Sequence, residues 1–349
     1  MLAEIWFAIL ALMLTTYAVM DGFDFGAGIL HLFVARTDAE RRTVMAAIGP
    51  FWDGNEVWLI AAGGVLFVAF PAVLAAAFSG FYLALFLVLW SLILRGASME
   101  FRSHISDPMW SAFWDALFAG SSALLALLFG VALGNVVRGV PVDGSGQFAL
   151  AFFTTMRTQG EVGLLDWYTL SVGVLALVAL AAHGSTFLTY KTQGELAVRC
   201  RRAARVLWPL SALLFVVVSI ETAIVRPELL SALLHRPIAW LGAALAALGA
   251  LLLITGARSS QELRAFLGSC LLLYGLLGAA AAALYPVILP STLKPEFSLT
   301  AERHATAAYG LRAALFWWPL AFALAIFYFV TVYRRHRGKV KLGSETYGP

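Results

Sequence analysis

Charge is what this sequence has least of. Only 13% of its 349 residues are Asp, Glu, Lys or Arg, against 61% hydrophobic; soluble domains run at about 25% charged and about 45–50% apolar. A soluble core is excluded by that balance, and a net charge of +4 is too slight to mark a nucleic-acid binder. Cysteine is almost missing. Cys200 and Cys270 stand far apart and form no CxxC, so neither a disulfide framework nor a zinc site is supported. The six histidines include no pair at i,i+3 or i,i+4, and only His183, in "AAHGST", reads as intramembrane. Haem or metal ligation on this chain therefore lacks its ligand set, and His183 reads first as a hydrogen-bonded structural residue, with a proton or quinone contact and a metal ligand as the alternatives. H-E-x-x-H, Walker A and dinucleotide fingerprints are all missing.

What the sequence has instead is a succession of apolar runs, each long enough to cross a hydrocarbon layer of ~30 Å. It reads as an all-α polytopic membrane protein with nine transmembrane helices near 5–34, 51–71, 76–99, 111–137, 164–190, 206–225, 237–256, 262–285 and 308–333. The opening run lacks a basic n-region and an A-x-A site, so it reads as a retained span. Between the second and third spans, "FPAVLAAAFSG" makes a corner where Pro71 ends one helix. The expected layout is one integral domain. Residues 1–137 form a first four-helix bundle, 138–163 an outer loop and 164–285 a second four-helix bundle; 286–349 supply an outer loop, a peripheral ninth helix and a tail. A polar break at Gly22 before "DAERR", and "AHGST" before "GELAVRCRR", hint that the bundles are repeats.

The basic residues orient this scheme. One side receives Arg36, Arg41, Arg42, Arg95, Arg102, Lys191, Arg199, Arg201, Arg202, Arg205, Arg258, Arg264, Arg334, Arg335, Arg337, Lys339 and Lys341, a total of 17. The other receives six: Arg138, Arg157, Arg226, Arg236, Lys294 and Arg303. The positive-inside rule then puts the N-terminus outside and the C-terminus in the cytoplasm.

Acids stand where lipid should be. Asp21 and Asp24 share a helix face in "VMDGFDFGAGIL". Each costs ~3 kcal/mol near a helix centre. The fourteen Leu, Ile, Val and Phe of 5–34 return roughly 0.3–0.6 kcal/mol each. The terms nearly cancel, so the acids should face protein or water. Gly22, Gly26 and Gly28 beside them suit a close helix approach. In "PFWDGNEVWLI", Asp53 and Glu56 open the second span between Trp52 and Trp58; Arg95 and Glu100 close the third in "LILRGASMEFR"; Asp115 lies early in the fourth. A cap or dipole contact would account for Asp53 or Asp115 alone. It would not account for Asp24, Asp53, Arg95 and Glu100 gathering at one membrane face. Such a set can pass protons along side chains and waters, which suits either an enzyme that consumes protons in the membrane or a stand-alone proton-coupled transporter. Transporters place discontinuous helices in both halves, whereas the acids here crowd the first half. Asp53 is expected to share charge with Arg95 or with a group on a partner.

In "MDGFDFGAGIL", "GPFWDGNEVWLI", "AAAFSGFYLALFLVL" and "RGASMEFR" the chain resembles subunit II of the bacterial cytochrome bd-type quinol oxidases, with "RGASMEFR" closer to the branch called cyanide-insensitive. Weaker similarity runs on through "TYKTQGEL" and "LYPVILPST". The resemblance implies a non-haem subunit II of a quinol:O₂ oxidoreductase that oxidises quinol, reduces O₂ to water and generates a membrane potential. It implies haems b558, b595 and d in a haem-bearing subunit I, with which this chain forms a heterodimer, and no haem ligands here. A small accessory subunit and a bound quinone or lipid are compatible with it. It assigns proton-pathway or haem-supporting roles to Asp24, Trp52, Asp53, Arg95 and Glu100, with Asp21, Glu56, Trp58 and Asp115 secondary. Where relatives also use Asp, Glu100 adds a methylene. Trp58 is open to two readings, an apolar O₂ route or packing alone.

Overall fold

The computed structural model describes residues 1–340; Lys341, counted above among the basic residues, lies outside them. The first helix, α1 (Leu2–Val34), runs unbroken for 33 residues, so the expected polar break at Gly22 is not a break. A short α2 (Asp38–Ile48) follows, then α3 (Trp52–Ala69), α4 (Pro71–Gly80), α5 (Tyr82–Phe101) and α6 (Pro108–Arg138). A long loop leads to α7 (Trp167–Lys191), α8 (Gly194–Val225), α9 (Pro227–His235), α10 (Pro237–Arg258) and α11 (Glu262–Leu284). Strands β1 (Val287–Leu289) and β2 (Leu299–Thr300) pair antiparallel before α12 (Ala301–His304) and α13 (Ala308–Arg335).

Eight of these helices are long and apolar enough to cross a membrane, and α3 is not among them. Its head carries Asp53, Asn55 and Glu56, which dilutes its apolar character. It nevertheless connects the two ends of the molecule. Its C-terminal Ala69 carbonyl accepts a hydrogen bond from Thr306 N in the loop after α11 (2.9 Å), whereas α5 returns to Arg102, bonded to Asp38 of α2. The corner at Pro71 is itself the helix α4, with proline at its first turn, where the missing N–H costs nothing. The segment after Val34 is likewise more than a loop. Thr37 and Glu40 close a capping box on α2, a T-x-x-E signal present in the sequence.

The fold is organised around α1, which packs on α3, α6, α7 and α11 and is buried without interruption from Asp21 to Gly28. Glycine makes this packing possible. A Cβ on Gly26 would lie 2.0 Å from the Leu180 carbonyl oxygen and 2.7 Å from Gly184 Cα, so α1 and α7 cross backbone to backbone. A second close seam joins α10 to α11, where Gly242, Gly249 and Gly256 face Gly268, Gly275 and neighbouring backbone. Far fewer residues of α13 are buried; it rests on α3 and α1, with Phe329 stacked on Trp58 at 5.3 Å.

Two arginines lock the end opposite the basic loops. Buried Arg138 pairs with Asp166 and donates to Asn135 Oδ1 (2.7 Å) and the Gly163 carbonyl (3.0 Å), fastening the 139–166 loop. Arg236 donates to the Ala282 and Ala283 carbonyls (2.7 and 3.1 Å), satisfying acceptors that the end of α11 leaves open.

The crossing makes one substitution decisive. Gly26→Ala should overpack the α1–α7 contact at a cost of about 1–3 kcal/mol, lowering the thermal midpoint and yield of the purified protein. Gly278→Ala, with nothing within 4 Å of its Cβ position, should leave both near wild type.

Candidate functional site

Arg95 is the centre of the buried polar groups. It sits on α5 at 1% exposure, and its guanidinium forks. Nη1 donates to Asp21 Oδ1 of α1 (2.7 Å) and Nη2 to Glu56 Oε1 of α3 (2.6 Å). Its Cζ lies 4.5 Å from the centroid of the Phe25 ring, so the cation has an aromatic face as well as two carboxylates. One turn along α1 from Asp21, Asp24 accepts a hydrogen bond on Oδ2 from Asn55 Nδ2 (2.8 Å), and the same amide reaches the Met20 carbonyl (3.0 Å). Three helices thus supply one arginine and three carboxyls. Tyr17 lies beside Asp21, Asp21 beside Asp24 and Tyr333 beside Asn55, yet Tyr17 Oη, Asp21 Oδ2, Asp24 Oδ1, Asn55 Oδ1 and Arg95 Nε make no hydrogen bond of good geometry. Such a concentration of unsatisfied polar atoms calls for bound water.

A second ionic knot lies towards the basic loops. Asp115 of α6, fully buried, accepts from Arg102 Nε on Oδ1 (2.5 Å) and from Arg102 Nη2 and Arg41 Nη1 on Oδ2 (3.0 Å each). His31 Nε2 approaches the same Oδ1 at 2.6 Å. Arg102 also reaches Asp38 Oδ1 (2.8 Å). Partial burial works against ionisation of Asp38, yet the Arg102 and Arg42 guanidinium groups outweigh it and hold this carboxyl below its usual value.

The sequence-derived residues fall into two groups. Asp21, Asp24, Glu56 and Arg95 meet, and Asp115 lies in the neighbouring knot. Asp53 and Glu100 do not join them. Both are exposed on this chain, and among the described residues neither carboxylate has a hydrogen bond or ion pair. The expected partnership of Asp53 with Arg95 is therefore corrected: Glu56, one turn further along α3, takes that place, because its direction on the helix points to α5 and its extra methylene gives reach. Trp52 packs its ring edge 3.3 Å from the Cβ position of Gly96 on α5, with its indole N–H unpartnered. Trp58 lies between the rings of Phe322 and Phe329 of α13.

His31 was missed as a buried group. It follows a long apolar run and looks like a span end, yet it is 0% exposed. His183 is hydrogen-bonded through both nitrogens, to Ser269 Oγ (2.8 Å) and the Val19 carbonyl (3.0 Å), with Phe266 stacked on its ring. His183 thus has both nitrogens engaged and His31 has Nε2 tied to Asp115, and no group of three or more His, Cys, Asp or Glu is gathered for a metal ion among the described residues.

Removing Arg95 should be the most damaging change in this cluster. Arg95→Leu strands Asp21 and Glu56 and should cost about 3–5 kcal/mol, read as loss of the folded protein in detergent. Arg95→Lys should recover only part, since an ammonium cannot fork to two carboxylates. Asp53→Asn, altering an exposed group, should stay within about 0.5 kcal/mol of wild type.

Comparison with known proteins agrees with this architecture. A family model described as cytochrome bd terminal oxidase subunit II matches residues 2–336. The chain is 36% identical to cytochrome bd-I ubiquinol oxidase subunit 2 of Escherichia coli K12, over 85% of this chain and 84% of that one. It is 33% identical to a probable cytochrome oxidase subunit 2 of Haemophilus influenzae, over 96% and 94% of the two chains. The structure of bd oxidase from Geobacillus thermodenitrificans matches with a TM-score of 0.72 at 17% identity, over 95% of this chain and 98% of that one, a likeness of fold. The chain belongs to the cytochrome bd terminal oxidase subunit II family.

Proposed function

We propose that this chain is the haem-free subunit of a quinol:O₂ oxidoreductase, that it holds a haem-bearing subunit I, and that its buried carboxyls deliver cytoplasmic protons to that subunit. The observation that carries this reading is the Arg95 cluster. Two carboxyls pair with its one guanidinium and a third, Asp24, stands beside them on Asn55, so full ionisation would leave uncompensated negative charge inside the bilayer. A cost of that size is relieved by holding a proton. A site that must hold a proton, beside unsatisfied polar atoms able to order water, can also exchange one. The oxidase supplies the demand, because reducing O₂ to water consumes protons.

In this arrangement α1, α3, α5 and α6 form a first bundle, α7, α8, α10 and α11 a second, and α13 a ninth, peripheral span. Residues 139–166 and 285–307 form the outer loops. The basic end is cytoplasmic by the distribution of Lys and Arg, leaving the N-terminus outside in a bacterial inner membrane. Haems b558, b595 and d belong to subunit I; when bound there they carry the electrons from quinol to O₂. What this chain's residues do is hold and move protons. Asp24, Asp21, Glu56 and Arg95 form the internal store, while Trp52 steadies the α3–α5 contact beside it.

Asp53 and Glu100 take a different place in the same scheme. They are exposed on surfaces that also present Val57, Ile60, Trp90 and Ile93. Lipid is a poor neighbour for an acid on such a surface, and a protein partner with polar groups is a good one. We assign this surface to subunit I, where Asp53 hands protons across. A stand-alone transporter gains no comparable support, since α1 carries its acids in an unbroken helix.

The test uses the intact oxidase complex. Asp53→Asn should lower quinol-driven O₂ consumption several-fold while the haem spectrum and co-purification of both subunits persist. Unchanged turnover together with an unchanged spectrum removes Asp53 from the pathway.

A further inference from the structure

The peripheral helix α13 fully buries only Leu311, yet it sends one phenol inward. It meets the start of α3 closely: a Cβ on Gly54 would lie 3.2 Å from Tyr328 Oη. Stacked rings pin the two segments on either side of that point, Phe51 on Tyr333 at 4.5 Å and Trp58 on Phe329 at 5.3 Å. Phe51, Asn55 and Trp58 follow at i, i+4 and i+7, which is one helix face, so Asn55 lies between the two stacks. Tyr333 stands beside Asn55, with Cys270 and Tyr274 of α11 near it. Its hydroxyl oxygen is shut away from solvent and makes no hydrogen bond of good geometry, and the same holds for Asn55 Oδ1. One of these atoms can donate and the other can only accept, so the two complete each other.

The phenol is held in place from behind. Lys191 Nζ donates to the His336 carbonyl at the end of α13 (2.7 Å), and Val340 N donates to the Lys191 carbonyl (2.8 Å). The same ammonium lies 5.4 Å from the centroid of the Phe51 ring. The far side of the Asn55 amide is occupied as well, since Nδ2 donates to the Met20 carbonyl (3.0 Å) and to Asp24 Oδ2 (2.8 Å). Asn55 thus bridges the peripheral helix and the carboxyl.

We propose that Tyr333 is a positioning residue for proton exchange at Asp24 and acts through Asn55: its hydroxyl donates to Asn55 Oδ1, keeps Nδ2 turned to Asp24, and strengthens the hydrogen bond that Nδ2 gives the carboxyl. The inference rests on the reading that Asp24 holds and exchanges a proton, and it brings α13 into that site. An amide turned the other way would set Oδ1 against the Met20 carbonyl, acceptor against acceptor. A donor on Oδ1 opposes that turn. It also polarises the amide, because hydrogen bonds in a chain reinforce one another. Once Asp24 has passed its proton on, the contact from Nδ2 is charge-assisted and steadies the carboxylate. Tyr333 itself moves no proton.

The experiment records infrared difference spectra and O₂ consumption of the intact oxidase complex carrying Tyr333→Phe, Asn55→Ala, both together, or Asp24→Asn. Haem spectra and subunit co-purification check assembly. Tyr333→Phe keeps the ring on Phe51 and removes only the hydroxyl. The expected result is several-fold slower turnover and a carboxyl C=O band moved to higher wavenumber, as a carbonyl does when its hydrogen bond weakens; a merely structural defect would leave that band in place. Asn55→Ala should move the band further, and adding Tyr333→Phe to it should change nothing more, since the effect passes through the amide. A band unmoved in Tyr333→Phe, or one that moves again in the double variant, overturns the proposal while the band lost in Asp24→Asn keeps the proton reading intact. If Asp24→Asn alters neither band nor turnover, both fall. Should Tyr333→Phe fail to assemble, an unmoved band in Asn55→Ala overturns the proposal and a shifted one supports it.

Discussion

A guanidinium held between two carboxylates inside the bilayer is the constraint on which this structure turns. Arg95 could not be buried at 1% exposure without Asp21 and Glu56 (2.7 and 2.6 Å), and neither acid could stay charged there without Arg95. The three residues come from α5, α1 and α3, so the ion group also sets how those helices are rotated against one another. The aromatic face of Phe25 and the Asn55 amide then fill the remaining directions. Everything proposed for the chain follows from that arrangement having more carboxyls than cations.

Packing serves the same end. The Gly26–Gly184 crossing draws α7 against α1 just beyond Asp24, and Gly28 admits Ser122 of α6. Small residues thus shut lipid out of the helix that carries the acids. The polar groups at the other end have a different role. Arg138, Asp166 and Asn135 are matched in charge and hydrogen bonds, which fastens a loop and leaves nothing to exchange. That contrast between a satisfied knot and an unsatisfied one supports the proposed proton site at Arg95.

Much of this was legible in the sequence. The crossing helices follow from hydrophobic length, and Asp21, Asp24 and Arg95 stood out because an apolar helix has no use for them. The family likeness in "MDGFDFGAGIL" and "GPFWDGNEVWLI" is confirmed by the match over residues 2–336. What sequence could not settle was direction. Asp53 and Glu56 are one turn apart, and only the rotation of α3 decides that Glu56 turns to Arg95 while Asp53 stays outside. His31 escaped notice because its partner Asp115, and the Arg41 and Arg102 that share that carboxylate, lie on three other segments. The α10–α11 glycine seam was also missed, since a glycine in an apolar run reads as a weak helix residue until the facing backbone is known. The capping box of α2 is written in the T-x-x-E of Thr37 and Glu40, although the stretch after Val34 reads as loop by hydropathy.

The account's central claim is that the carboxyls around Arg95 hold a proton and exchange it during turnover. Infrared difference spectroscopy on the intact complex, recorded between oxidised and reduced states, tests it most directly. The account predicts a protonated-carboxyl C=O band that changes between the two states and disappears in Asp24→Asn. A difference spectrum with no such band, or one untouched by that substitution, would contradict it.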